Sequence, residues 1–240
     1  MRPLFRRGLR AAFVTCVAVA LAHGCAPRIV STTISPGLKA QNYLTSTAYG
    51  GMAVEVVPVR GYAPETAALN LMKLRASERC FKPDGIQILV APEVAQETST
   101  AHAWSIPDLM AFEAAHRQLR DGNGVATLFV EYLDGQYAGD AKAIGISYSD
   151  HSIAVFKDVL GPGGPEGSVL VHELGHQLGL VDGTSPMQIA HEDPTSRGHD
   201  ASPSCVMYFA LSSAVPGTNM GPPDDYCSNC KADMHVAGGR

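Results

Sequence analysis

The sequence predicts an α+β fold: a mixed, twisted sheet, one long helix that carries the functional site, and an irregular C-terminal subdomain. Three observations predict it. Short β-branched runs alternate with helical patterns through the first two thirds of the chain. The stretch from Val169 to Asp182 reads as an amphipathic helix closed by a glycine. Beyond it Pro, Gly, Ser and Asp dominate and periodicity fades. A length of 240 residues, with 45% hydrophobic and 17% charged residues, suits one sizeable domain behind a leader.

The chain opens as a targeting segment. Arg2, Arg6, Arg7 and Arg10 form a basic region, and Ala11 to Ala22 form an apolar one too short for a comfortable membrane span. Leu21-Ala22-His23-Gly24-Cys25 follows and resembles a bacterial lipobox. Residues 1–24 are therefore expected to be a lipoprotein-type signal peptide, with Cys25 lipidated. Ordinary secretion, with cleavage just before Cys25, is the alternative. Residues 25–50, rich in Ser, Thr, Pro, Gly and Ala, read as a tether. Formal net charge is −5 from 18 basic and 23 acidic residues; without the four leader arginines it is −9. That acidity argues against nucleic-acid binding and against a basic membrane-binding face. The expectations that follow are an exported, monomeric protein, in a bacterial envelope or outside the cell. Its only membrane contact would be a lipid at Cys25, and its partner a peptide or protein.

From residue 51 the domain begins. Met52 to Val59 reads as a strand, and Pro64-Glu65 opens a helix with Leu69, Leu71, Met72 and Leu74. Ile86 to Val90 is a short strand after Pro83-Asp84-Gly85, and Pro107 to Leu119 is helical. Val125 to Leu133, Ile144 to Tyr148 and Ile153 to Phe156 read as three further strands, and Gly161-Pro162-Gly163-Gly164-Pro165 breaks the chain before the next helix.

That helix contains His172-Glu173-Leu174-Gly175-His176. Residues four apart on a helix share a face, so His172 and His176 can meet one metal ion. Glu173 is then placed to act on a metal-activated water rather than to bind the ion. Gly179 can take the left-handed conformation that ends a helix, and Asp182 can reach the same ion from the returning chain. His191 and His199 are the rival third ligands, since imidazole and carboxylate both suit zinc. Setting aside Cys16 and Cys25 leaves Cys80, Cys205, Cys227 and Cys230, which allow three disulfide pairings.

These motifs resemble the metzincin clan of zinc peptidases, whose signature is H-E-x-x-H-x-x-G-x-x-H or D followed by a methionine turn. His172, Glu173, His176, Gly179 and Asp182 match, with Met207 as the turn methionine. The Asp is similar to that of snapalysin-type proteases. Cys205-Val206-Met207 and Cys227-Ser228-Asn229-Cys230 resemble the archaemetzincin tail. The resemblance implies a metzincin-like zinc peptidase domain over residues 51–240, with one catalytic Zn²⁺. It further implies a second, structural zinc on Cys205, Cys227 and Cys230, completed by His199 or Asp200; a disulfide arrangement competes with it. Departures stand beside the likeness: archaemetzincins carry a histidine third ligand followed directly by a cysteine, where this chain has Asp182 and Gly183, and the loop before Cys205 is longer.

The function implied is a secreted or lipid-anchored endopeptidase with Glu173 as general base. Met207 would floor the site, and Ile144 to Tyr148 would be the edge that holds an extended substrate. The alternative is a zinc-stabilised surface lipoprotein that binds a partner without catalysis.

Overall fold

The computed structural model describes residues 35–95, 102–181, 183–211 and 221–240. Its centre is β1 (Gly51–Pro58), all eight residues of which are buried. A strand hidden on both faces needs parallel neighbours and helices above and below. β1 pairs in parallel with β2 (Gly85–Val90) and with β4 (Val125–Leu133), and β4 pairs in parallel with β7 (Ser152–Phe156). β6 (Gly145–Ser147) joins β7 antiparallel, giving the order β2-β1-β4-β7-β6. The sheet is thus mixed, and β6 is one of its edges. A second, two-stranded sheet joins β3 (Ala103–Trp104) to β5 (Gln136–Tyr137).

Alternation along β4 sorts the two cores. Ala126, Leu128, Val130 and Tyr132 face one cluster, which α1 (Ala40–Leu44), α2 (Thr66–Arg79) and α5 (Glu166–Gln177) cover. Phe129 and Leu133 face the other, shared with Leu109 and Phe112 of α3 (Ile106–His116). The short α4 (Lys157–Leu160) follows β7. The α+β, mixed-sheet expectation therefore holds, with the site helix packed on one face and running past the β6 edge.

Three local expectations need correction. Residues 35–50 are not a tether: Ala40, Tyr43 and Leu44 are buried in the first core. The buried Lys82 ammonium ties this segment down by donating to the carbonyls of Asn42, Thr45 and Tyr49. α3 stops at His116 rather than Leu119, because the Glu55 carboxylate accepts the N–H groups of Gln118 and Leu119 and draws that turn onto β1. The C-terminal region also ends in a helix, α6 (Ser228–Val236), whose Cys230, Asp233 and Met234, with Ala237 just beyond, are buried at helical spacing. The expected signal peptide (1–24), Cys25 and the first part of the tether lie outside the described residues. No helix among the described residues is long and apolar enough to cross a membrane.

Candidate metal centre

α5 brings His172 and His176 to one face, as their spacing requires. Their Nε2 atoms stand 3.1 Å apart. Tetrahedral zinc with Zn–N bonds of about 2.05 Å separates two ligand nitrogens by about 3.3 Å, so this pair is already set for a shared ion. The tautomer is also set. His172 Nδ1 lies 2.7 Å from the Val206 carbonyl, which can only accept, so Nδ1 carries the proton and Nε2 keeps its lone pair. The helix ends as its glycine predicts: Gly179 has φ +74°, its N–H reaches the His176 carbonyl, and the Leu180 N–H reaches that of Gly175. Val181 continues in the left-handed region at φ +48°, an unusual place for a β-branched residue, with its side chain buried.

The third group at this place is His199. Its ring centroid is 5.2 Å from that of His172 and 5.3 Å from that of His176, and one ligand atom from each of the three residues falls within 4.8 Å of the others. His199 Nδ1 donates to the Arg197 carbonyl at 3.0 Å, leaving its Nε2 free like that of His172. Asp182, the third ligand expected from its place beyond Gly179, lies outside the described residues. His191 does not join the triad; it is buried between the Asp200 and Asp233 carboxylates, where it stands with Asp200, Cys227 and Cys230 in a second group of possible ligands. The signal for His199 in the sequence was its side chain: imidazole suits zinc, and His199 was one of the two histidines that rivalled Asp182.

The floor is methionine. Met207 is fully buried, and a Cβ added at Gly175, between the two helix histidines, would sit 2.2 Å from its Sδ. Gly175 is thus the close approach that lets the Cys205-Val206-Met207 segment lie against α5. Tyr226 locks the arrangement by donating to the Val171 carbonyl at 2.8 Å.

Glu173 sits beside the triad, only 5% exposed, with its Oε2 unpartnered. Burial raises its pKa to about 7, partly opposed by Ser147. Burial also lowers His172 to about 4 and takes His176 well down, with the neighbouring histidines adding to the effect. Two neutral imidazoles are the protonation states that metal binding needs. The site opens into a cleft of about 830 Å³. β6 and the residues before it form one wall, and Phe209 and Leu211 lie on another part of the lining.

A second cluster lies behind the first. Cys205, Cys227 and Cys230 are free thiols, as is Cys80. Cys205 Sγ and Cys230 Sγ are 3.7 Å apart, well beyond a disulfide bond. Asp200 Oδ2 lies 3.0 Å from Cys227 Sγ and 3.5 Å from Cys230 Sγ. Hydrogen bonding from Cys205 and Cys230 holds Cys227 far below its ordinary value, while burial, together with the Cys227 bond, raises Asp200. Three thiols, one disposed to ionise, beside a buried carboxylate form a donor set suited to zinc. Of the two candidates to complete this site, Asp200 is in it and His199 is not.

No family model matches the chain, and no curated protein does either. Among solved structures, archaemetzincin from Methanopyrus kandleri matches with a TM-score of 0.50 and 18% identity, over 78% of this chain and 96% of the other. The fold is archaemetzincin-like. A chaperone–substrate complex also matches, at a TM-score of 0.37 and 14% identity, over 80% of this chain and 34% of the other; that value is too low to carry a fold relation. The archaemetzincin-like fold agrees with the element order read from the sequence. It says nothing by itself about activity.

Proposed function

We propose that this chain is a zinc-dependent endopeptidase, exported from a bacterial cell and either secreted or anchored by a lipid at Cys25. The observation that carries this reading is the convergence of His172, His176 and His199 beside the unpartnered carboxyl of Glu173, at an edge strand in an open cleft. The archaemetzincin-like fold supports it.

In this reading His172, His176 and His199 hold the catalytic ion, with His199 preferred over Asp182 on geometry. Zinc bound there supplies a Lewis acid that acidifies water and polarises a carbonyl. The chain's own residues do the rest. Glu173, with a pKa near 7, accepts a proton at its free Oε2 and returns it to the leaving amine. β6 offers the unpaired side of its backbone to an extended peptide. Its Ser147 hydroxyl donates to the Glu173 carbonyl at 3.0 Å, so the strand and the base move as one. Asp200, Cys205, Cys227 and Cys230 hold a second, structural zinc that carries no chemistry.

The test is metal content and peptide-library cleavage of the wild type and Glu173→Gln. The expected result is one His-bound zinc in both proteins and a loss of turnover of at least about 100-fold in the variant. Undiminished cleavage by Glu173→Gln would sink the mechanism. Zinc binding with no cleavage by either protein would favour the non-catalytic binding module.

A further inference from the structure

We propose that His191 is a positioning residue for the first metal centre: through Asp200 it bolts the loop carrying His199 to α6. The inference rests on the reading of His199 as third ligand.

The loop that leaves α5 folds back on itself before it reaches the site. Asp193 N–H donates to the His199 carbonyl at 2.8 Å, Ala201 N–H donates to the His191 carbonyl at 2.9 Å, and Glu192 pairs antiparallel with Asp200. Successive residues of extended backbone point to opposite sides. His199 therefore faces the histidines of α5, while Asp200, its neighbour, faces the thiol cluster and α6. A ligand's precision depends on what holds its backbone. The bonds His199 makes for itself, to Arg197, Ser196 and Asp193, stay inside the same loop. Anchorage to the body of the protein passes through Asp200: its N–H reaches the Met207 carbonyl at 2.8 Å, and its Oδ2 meets His191 Nδ1 at 2.7 Å. His191 Nε2 meets Asp233 Oδ2, on α6, at 2.7 Å.

These three side chains are at most 4% exposed. A ring nitrogen of His191 lies within 4.8 Å of the Asp200, Cys227 and Cys230 ligand atoms, but both of its nitrogens are engaged by carboxylates, so it serves that cluster through Asp200 and offers it no lone pair in this arrangement. Its role is mechanical: it joins two buried carboxylates across the ring, one in the loop and one on α6. Asp233 also accepts the Gln188 N–H at 2.7 Å, which fixes the loop at a second point. A third ligand on a free loop would be in place only a fraction of the time, and affinity would fall by that fraction. The bolt removes that penalty.

The experiment uses the full-length protein loaded with Co²⁺. Affinity of the histidine centre is measured by chelator competition, followed in the visible d–d bands. The thiolate charge-transfer band reports the other cluster. His191→Gln is expected to weaken the histidine centre by about 10- to 100-fold, the range for outer partners of metal ligands. The same substitution made on top of His199→Ala is expected to change nothing further, because its route of action is already gone. Loss of equal size in both backgrounds would mean a general loss of structure and would overturn the proposal, as would an unchanged affinity in His191→Gln. If His191→Gln does not fold, Asp233→Asn, which keeps an oxygen for the Gln188 N–H and removes the charge that faces His191, runs through the same cycle. A His199→Ala protein that binds as tightly as wild type would defeat the ligand reading, and this inference with it. A harmful His199→Ala beside a silent His191→Gln would defeat the inference alone.

Discussion

At the scale of single residues, the site depends on who holds each proton. The Val206 carbonyl fixes His172 and the Arg197 carbonyl fixes His199, so both present Nε2. His199→Ala should therefore lower zinc affinity at the histidine centre by at least about tenfold, whereas Asp182→Ala should leave it within a factor of a few; chelator competition separates the two. Gly175→Ala makes a different point. Its new Cβ would meet Met207 Sδ at 2.2 Å and Tyr226 Cε1 at 3.0 Å, so Met207 must shift, and with it Val206, the partner of His172. We expect a loss of about 1–3 kcal/mol in thermal unfolding, as for overpacked cores, with weaker metal binding. The sequence made His172, Glu173 and His176 legible because helical spacing is a local rule. The third histidine is not local. A loop residue reaches the site through tertiary bonds such as Asp200 to His191, and no period in the chain announces them.

At the scale of elements, what mattered most was which strand forms the edge. The run from Ile144 to Tyr148 was readable as a strand, and the expectation that it borders the cleft agrees with its place at the end of the sheet. Its glycine was not readable as anything special. Gly145 lies so close to α5 that a Cβ would stand 2.8 Å from Val169 Cγ1 and 3.3 Å from Glu173 Cγ. Gly145→Ala should push β6 off the helix or displace the base. Turnover is expected to fall by an order of magnitude or more, while zinc content stays at the wild-type value. A variant that keeps full activity would show that the strand does not set the position of Glu173. Other elements were hidden for physical reasons. α1 has five residues within a Ser- and Thr-rich stretch, and its helical state depends on burial of Tyr43 and on the Lys82 cage. α6 shows the right spacing at Cys230, Asp233, Met234 and Ala237. Only one of these is a large hydrophobe, so a hydrophobic-period reading passes over it.

At the scale of the whole molecule, the fold confines a carboxyl where it is reluctant to ionise, and stability should report that. Glu173 has a pKa of about 7 in the fold because burial penalises its charged form, against about 4.3 for an unfolded glutamate. A group whose pKa is raised by folding binds its proton more tightly in the native state. Its favourable contribution is complete below about pH 4.3, declines as pH rises, and is lost above about pH 7. His172 acts in the opposite sense: with a folded pKa of about 4 against about 6.5 unfolded, it favours the fold above pH 6.5 and loses that contribution as pH falls toward 4. His176, also held well below its ordinary value, acts in the same sense as His172, so in the metal-free wild type three trends overlap and its stability alone does not isolate that of Glu173. Glu173→Gln removes one of them. The metal-free variant should gain stability over the metal-free wild type steadily from pH 4 to pH 7 and then hold a constant advantage, at most about 4 kcal/mol. Denaturant unfolding at a series of pH values measures that difference directly. Added zinc should shrink it, because a nearby dication favours the carboxylate that burial disfavours. A difference that does not change with pH would mean that Glu173 titrates in the fold as it does in the unfolded chain, and the base would then lack the near-neutral pKa that suits it to its task.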